Sequence, residues 1–180
     1  MQFQPCPRYL LAATVLGLAS ITQLSSVTTA ADPLANRELA AKVQSMYEDY
    51  RDHFKGVAEV TPDSLKAWLM RPGTIVVDVR PSEERDVSII AGAISAAQFE
   101  SNAEDYGGFR VVTYCTIGYR SGEYAQKMTA KGIEAYNLAG GILGWIHAGA
   151  VVEHEGADSR EVHVYGRRWS LLPEGYEARW

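Results

Sequence analysis

The sequence has little cysteine, no excess of positive charge and no hydrophobic run of transmembrane length. Two cysteines among 180 residues are too few for a disulfide scaffold. Seventeen basic residues stand against 22 acidic ones, and the resulting net charge of −5 argues against a nucleic-acid partner. The four histidines form no i, i+4 ligand pair and have no neighbouring cysteine, so we expect no metal site and no cofactor. A hydrophobic share of 47% with a charged share of 22% is typical of an ordinary globular domain.

The first 31 residues differ in composition from the rest. Arg8 is their one charged side chain, a 13-residue apolar run follows from Tyr9 to Ile21, and small residues precede position 32. This order is typical of a secretory signal peptide, cleaved here after residue 30 or 31. The apolar run is shorter than the about 20 residues that a membrane-spanning helix needs. We therefore expect an exported protein, periplasmic or secreted, with no stable membrane span after cleavage; an uncleaved N-terminal anchor is the alternative.

Cleavage would change the cysteine chemistry of the chain. It would remove Cys6 and leave Cys115 alone, so that no intramolecular disulfide could form. An unpaired thiol in an oxidising compartment is a liability unless it is buried or used. Cys115 is therefore the first candidate for a functional residue.

Hydrophobic patterning predicts an α/β domain with a flanking segment on each side. An amphipathic helix is predicted within 32–56, because apolar residues recur there at helical spacing. Strands are predicted at 74–79, 110–114 and 134–138, and helices at 61–69, 121–131 and 142–148. This alternation predicts an open parallel sheet flanked by helices within 57–150. The remaining segment, 151–180, is predicted to be an irregular extension whose aromatic residues pack on the domain.

Cys115 lies between a predicted strand and a predicted helix. Ligands bind at the carboxyl ends of parallel strands, and the free N–H groups at a helix N-terminus favour an anion. Gly118 allows the loop to curl so that its amides converge on the sulfur, and Arg120 adds a permanent positive charge. All three features favour a thiolate at Cys115. The alternative is that Cys115 is a small buried hydrophobic residue.

Four segments, taken in order, resemble the rhodanese-like sulfurtransferases. They are Asp78-Val79-Arg80, Gly92-Ala93-Ile94, the loop Cys115–Ser121, and Leu138–Ile142 with Trp145. The resemblance covers roughly residues 60–149, which would be one complete rhodanese domain. Three positions depart from the family pattern: Thr116 stands where many members carry Arg, and Ile89 and Ala91 replace a common His and Pro. The first departure weakens an inference to thiosulfate as the donor.

The resemblance implies a sulfurtransferase in which Cys115 is the catalytic residue. A donor, thiosulfate or a persulfide, would pass its sulfane sulfur to Cys115, and a thiol or cyanide acceptor would remove it; a protein thiol is a further candidate acceptor. The expected substrate-binding residues are Thr116, Ile117, Gly118, Tyr119, Arg120 and Ser121. Arg120 would orient an anionic donor. Asp78 and Arg80 are expected to form a structural ion pair that braces the site.

Two other functions stay open at this point. One is a non-enzymatic sulfur carrier or partner-binding module, which the cysteine loop does not distinguish from a free enzyme. The other is a cysteine-dependent phosphatase, which also places a Cys and an Arg in a loop before a helix. Phosphatases have one more residue between the two than the segment Thr116–Tyr119 provides. The shorter loop suits a single sulfur atom better than a tetrahedral phosphate.

Overall fold

The computed structural model describes residues 32–180. The predicted signal peptide, residues 1–31, lies outside the described residues. None of the helices in the described part is both long and apolar enough to cross a membrane.

Helices and strands alternate along most of residues 32–180. The α-helices are α1 (Pro33–Arg51), α2 (Pro62–Leu69), α3 (Ser82–Arg85), α4 (Ala96–Ser101), α5 (Tyr119–Ala130) and α6 (Gly141–His147). The strands are β1 (Ala58–Val60), β2 (Thr74–Asp78), β3 (Ile94–Ser95), β4 (Arg110–Tyr114), β5 (Ala135–Leu138), β6 (Val152–His154), β7 (Ala157–Ser159), β8 (Glu161–His163) and β9 (Glu177–Arg179). Short 3₁₀ turns occupy Asp52–Phe54, Ala103–Tyr106 and Arg167–Trp169.

The first five strands form one parallel sheet in the order β1-β5-β4-β2-β3. Strands β2 and β4 pair along their whole lengths, from Thr74 beside Arg110 to Asp78 beside Tyr114. Because all five strands run the same way, the loops that follow β2 and β4 lie at the same edge of the sheet. The predicted open parallel α/β sheet is confirmed.

Both faces of the sheet are buried, which explains the β-branched runs of β2 and β4. Val76 and Val112 face a core that also contains side chains of α1, α2, α6 and the C-terminal segment. Their neighbours Val77 and Val111 face a second core, made with α4 and α5. Successive strand residues point to opposite faces, so each strand serves both cores.

The N-terminal helix α1 has the start that the sequence predicts. Pro33 is its first residue, and the Asp32 carboxylate accepts a hydrogen bond from the Leu34 N–H at 2.9 Å. Its buried residues are Val43 and Tyr47, which pack towards the sheet domain. The apolar stripe of α1 therefore covers the domain core.

The prediction of an irregular C-terminal segment is wrong in part. Strands β6 and β7 form an antiparallel hairpin, and β8 pairs with β9 in parallel. Each of these strands has three residues, and β1 and β3 in the main sheet are as short or shorter. Runs of this length show no measurable alternation of polar and apolar residues, so the sequence pattern did not predict them. Ser88 fastens the segment to the domain by donating to the Glu161 carbonyl at 2.7 Å.

Helix α5 begins two residues before its predicted start. The residue before it, Gly118, has a φ of +108° and caps the helix without a side-chain hydrogen bond. The sequence prediction placed the start at Ser121 because it assigned Cys115–Arg120 to the break that follows the strand. The loop between β4 and α5 is consequently short, running from Cys115 to Gly118.

Candidate active site

Cys115 is the first residue after β4, at the carboxyl edge of the sheet. Its side chain is 2% exposed, yet it forms part of the wall of a pocket. Its Sγ accepts a hydrogen bond from the Gly118 N–H, with 3.2 Å between nitrogen and sulfur. Cys115 therefore lines the pocket while its sulfur accepts a backbone N–H, an arrangement suited to holding negative charge on sulfur.

Buried hydrogen bonds join the loop after β4 to the neighbouring strand β5. Asn137 on β5 donates through its Nδ2 to the Gly118 carbonyl at 2.9 Å. The Asn137 Oδ1 accepts from the Ser121 hydroxyl at 2.7 Å. Both side chains are fully buried, so these bonds are shielded from competing water. These bonds hold Gly118, whose N–H donates to the sulfur, in place before any ligand binds.

The turn after β5 supports the other side of the loop. The Ile142 N–H donates to the Cys115 carbonyl at 2.9 Å, and the Leu143 N–H donates to the Thr116 carbonyl at 3.2 Å. A Cβ on Gly141 would lie 2.4 Å from the Cys115 carbonyl oxygen, so only glycine permits this approach. Of the two adjacent glycines, Gly141 is thus the one that allows the close approach to the cysteine loop, whereas Gly140 lies against Gly144 and Val43.

Arg120 is paired with an acid that the sequence analysis did not select. Its Nη1 and Nη2 contact the two carboxylate oxygens of Glu84, at 2.7 and 2.8 Å, and Nη2 also donates to the Thr116 hydroxyl at 3.2 Å. Burial alone would lower the pKa of Arg120, but the hydrogen bonds and charge of Glu84, together with the nearby Cys115 sulfur, raise it. The guanidinium stays protonated, and its charge is balanced by Glu84. Arg120 thus carries the positive charge that the sequence analysis predicted, and that charge is paired with a carboxylate that the sequence analysis did not select.

A pocket of about 370 Å³ opens in front of the sulfur. Its lining residues are Tyr50, Cys115, Thr116, Ile117, Tyr119, Arg120, Tyr165 and Trp169. We call Tyr50, Tyr119, Tyr165 and Trp169 the aromatic walls. Tyr50 and Tyr119 meet edge to face with 5.4 Å between ring centroids, as do Tyr165 and Trp169 with 5.2 Å. Across residues 32–180, no three His, Cys, Asp or Glu side chains are grouped so that they could hold a metal ion.

The predicted substrate-binding residues fall into two groups. Thr116, Ile117, Tyr119 and Arg120 line the pocket. Gly118 contributes its N–H to the sulfur, whereas Ser121 is buried beneath the loop and bonded to Asn137. Ser121 is thus placed to support the loop rather than to contact a ligand.

Asp78 and Arg80 form the expected ion pair, and both side chains are fully buried. Arg80 Nη2 lies 2.7 Å from an Asp78 oxygen and also donates to the Ser88 carbonyl at 2.7 Å. Burial would lower the pKa of Arg80, but the hydrogen bonds and charge of Asp78 raise it above its usual value. The Tyr114 hydroxyl donates to the same carboxylate at 2.6 Å. The ion pair thus ties the end of β2 to the residue that precedes Cys115.

Four residues of the site were not selected from the sequence. Glu84 had a usable signal, because it follows β2 and this strand and β4 end at the same edge of the sheet. Tyr50, Tyr165 and Trp169 had none. They belong to segments far from Cys115 in the chain, and only the packing of those segments brings them to the pocket.

The fold and the site together define a class of protein: an α/β domain with a cysteine that follows a parallel strand and accepts a hydrogen bond from a backbone N–H of its loop. The family model described as "Rhodanese-like domain" matches residues 61–148. Residues 61–148 therefore form a rhodanese-like domain, as the resemblance indicated. Helix α1 and the segment from β6 onward lie outside the matched residues.

Comparison with individual proteins gives the same fold. The crystal structure of a thiosulfate sulfurtransferase from Pseudomonas aeruginosa is 23% identical, with a TM-score of 0.53; the match covers 67% of this chain and 25% of that one. A tRNA uridine(34) hydroxylase from Mesorhizobium japonicum is 29% identical over 97 residues, or 48% of this chain. The match spans 31% of the length of that hydroxylase.

Proposed function

We propose that this protein is a sulfurtransferase that carries sulfane sulfur as a persulfide on Cys115. The rhodanese-like domain supports a role in sulfur transfer at the level of the family. The observation that carries the proposal is the environment of the Cys115 Sγ, which borders the pocket and accepts the Gly118 N–H at 3.2 Å. A backbone donor fixed by buried hydrogen bonds stabilises negative charge on sulfur without reorganising during the reaction.

The proposed reaction has two displacement steps at sulfur. In the first, the Cys115 thiolate attacks the outer sulfur of the donor, a new S–S bond forms, and the remainder of the donor leaves with the electron pair of the broken bond. In the second, a thiol or cyanide attacks the outer sulfur of the persulfide, and Cys115 leaves as a thiolate. The Gly118 N–H is placed to stabilise the anionic sulfur between the two steps.

Intact-mass spectrometry tests the covalent step. After incubation with sulfane-sulfur donors, we expect a gain of ~32 Da, the mass of one sulfur atom, that cyanide removes as thiocyanate. Cys115→Ser is the control and should neither gain the mass nor produce thiocyanate above background. Equal thiocyanate production by the two proteins, or no mass gain with any donor, would contradict the proposal.

The same experiment separates the other two functions. A persulfide that forms but that neither cyanide nor small thiols discharge would identify a carrier that requires a protein acceptor. Hydrolysis of a small aryl phosphate that depends on Cys115 would identify a phosphatase instead.

We also propose that the protein is exported, to the periplasm or the medium. The support is the single charge of Arg8 and the apolar run from Tyr9 to Ile21 that follows it. N-terminal sequencing of the protein recovered from the exported fraction should begin at residue 31 or 32. Recovery in the membrane fraction with Met1 intact would favour the uncleaved anchor.

A further inference from the structure

The residues that line the pocket indicate which class of donor the proposed reaction would use. Building on that proposed function, we infer that the pocket selects a singly charged organic sulfur donor with an aromatic or similarly bulky apolar group. It discriminates against small inorganic dianions such as thiosulfate. Two independent features carry this inference: the charge balance beside the sulfur and the aromatic walls.

In the described part of the chain, no positively charged side chain that lines the pocket is without an ionic partner. Among the described residues that line the pocket, Arg120 is the one with a formal charge, and Glu84 engages both of its outer nitrogens. The Glu84 side chain is 4% exposed, so water screens its charge poorly. A donor with two negative charges would have to leave water without gaining an unpaired positive partner. A single negative charge on the reacting sulfur can instead use the Gly118 N–H.

The aromatic walls provide room and apolar surface for an organic group. The pocket volume of about 370 Å³ falls within the usual range for small-molecule sites and greatly exceeds what a thiosulfate ion fills. Rings from three separate elements surround this space, Tyr50 from α1, Tyr119 from α5, and Tyr165 and Trp169 from the C-terminal segment. An aromatic ring on the donor would gain edge-to-face or stacked contacts there, which a methyl group would not.

The backbone conformation of Tyr165 supports a specific role for its ring at the pocket. Tyr165 has a φ of +67°, a left-handed conformation that non-glycine residues rarely adopt. Its ring is 5.1 Å from the Arg120 guanidinium carbon, and the residue is 59% exposed, so burial does not explain the strain. The strained turn instead places the ring against the Arg120 guanidinium, at the wall of the pocket.

Three donors separate the effects of charge and of the ring. Benzenethiosulfonate and methanethiosulfonate both carry one negative charge and differ in the organic group, whereas thiosulfate is a small dianion. In each case the Cys115 thiolate attacks the outer sulfur, the S–S bond to the oxidised sulfur breaks, and a sulfinate or sulfite leaves with the electron pair. No proton or external oxidant is needed. The persulfide and the leaving group together hold all of the atoms and charge of the reactants.

The measured quantity is the second-order rate of persulfide formation, followed by the ~32 Da mass gain. We compare the rate with benzenethiosulfonate to the rate with methanethiosulfonate. The same ratio measured for the free thiol N-acetylcysteine gives the intrinsic difference in reactivity between the two donors. Dividing the first ratio by the second gives the corrected ratio. We expect the corrected ratio to be roughly tenfold, as befits one buried ring. Thiosulfate should be the slowest donor of the three.

Matched variants assign the selectivity to the named residues. Tyr165→Ala and Trp169→Ala should each reduce the corrected ratio, whereas Trp180→Ala removes an exposed ring outside the pocket and should leave it unchanged. Glu84→Gln frees the Arg120 charge and should raise the thiosulfate rate relative to methanethiosulfonate at least about threefold. The neighbouring exposed acid provides the control, Glu83→Gln, which should not alter that ratio.

The outcomes distinguish this inference from the proposed function. Two results would overturn the selection of an aromatic donor, provided that Cys115 becomes persulfidated. One is a corrected ratio near unity in the unmodified protein. The other is a corrected ratio that stays equally high in Tyr165→Ala and Trp169→Ala. If thiosulfate reacts as fast as benzenethiosulfonate, or Glu84→Gln does not favour it, the charge argument is overturned. If no donor adds sulfur to Cys115, the proposed function itself fails, and the substrate class fails with it.

Discussion

The ring of Tyr47 lies so close to Gly118 that it leaves no room for a Cβ there. The distance from an ideal Cβ to the nearest ring carbons is 2.6 Å, well inside van der Waals contact. Tyr47 is fully buried in α1, outside the matched family domain, and Gly118 is the loop residue whose N–H binds the sulfur. Helix α1 therefore takes part in shaping the cysteine loop.

Gly118→Ala should destabilise the protein because it combines a left-handed backbone with a clash against a buried ring. Gly132→Ala is the matched control, since Gly132 also has a positive φ, +82°, but open space around its Cα. We expect Gly118→Ala to lower the free energy of unfolding by about 1–3 kcal/mol more than the control does. Urea denaturation of the two variants measures the difference. Equal losses would show that the loop relaxes away from Tyr47 without penalty.

Asp78→Ala should be among the most destabilising single substitutions in the domain. It leaves the Arg80 charge buried without its partner and removes the acceptor of the Tyr114 hydroxyl. The expected loss in the free energy of unfolding is about 3–5 kcal/mol. Glu161→Ala breaks the exposed ion pair with Arg179 and serves as the control, with a far smaller loss. Similar unfolding midpoints for the two variants would contradict a structural role for the buried pair.

Stability should fall as the pH rises above about 10, where tyrosines of the unfolded chain ionise. In the folded protein, burial and then the Asp78 charge raise the pKa of Tyr114 well above its usual value, so the phenol keeps its proton. The unfolded state therefore loses protons first, and its free energy drops relative to the folded state. Tyr114→Phe should be less stable near neutral pH, because it loses the bond to Asp78, but its stability should decline less steeply above pH ~10. Parallel slopes in alkaline urea titrations would refute this account.

Asn137→Leu should remove the hydrogen bonds that join the cysteine loop to strand β5. The substitution leaves the Ser121 hydroxyl buried without an acceptor, and the Gly118 carbonyl keeps only the Gly122 N–H as a donor. The expected loss in the free energy of unfolding is about 1–3 kcal/mol. Persulfide formation on Cys115 should also slow, because the Gly118 N–H is no longer fixed in direction. Asn102→Ala, at an exposed helix end, is the control for both measurements. Undiminished persulfide formation in a folded Asn137→Leu protein would show that the loop orients itself.

The central part of the fold could be predicted from the sequence because its signals are local and strong. Strand β4 was predicted with its observed bounds, since its β-branched run is buried on both faces. Strands β1 and β3 were not predicted, because two or three residues carry no period and their strand conformation depends on the neighbours they pair with. The number of residues in an element, rather than its distance from the core, decided whether it could be predicted.

The candidate site divides in the same way. Cys115, Gly118 and Arg120 could be selected because a strand, a tight loop and a helix follow one another within a few residues. The partner of Arg120 was not selected, because it lies 36 positions away in the chain and only the shared edge of β2 and β4 pointed to it. That pairing depends on the register of β2 against β4, and no single segment of sequence contains it.

The aromatic walls consist of one ring from helix α1, one from α5 and two from the C-terminal segment, so both ends of the described chain meet over one sulfur atom. Both segments also supply buried side chains to the core on one face of the sheet. A protease that trimmed either end would therefore expose that core as well as change which compounds reach the sulfur.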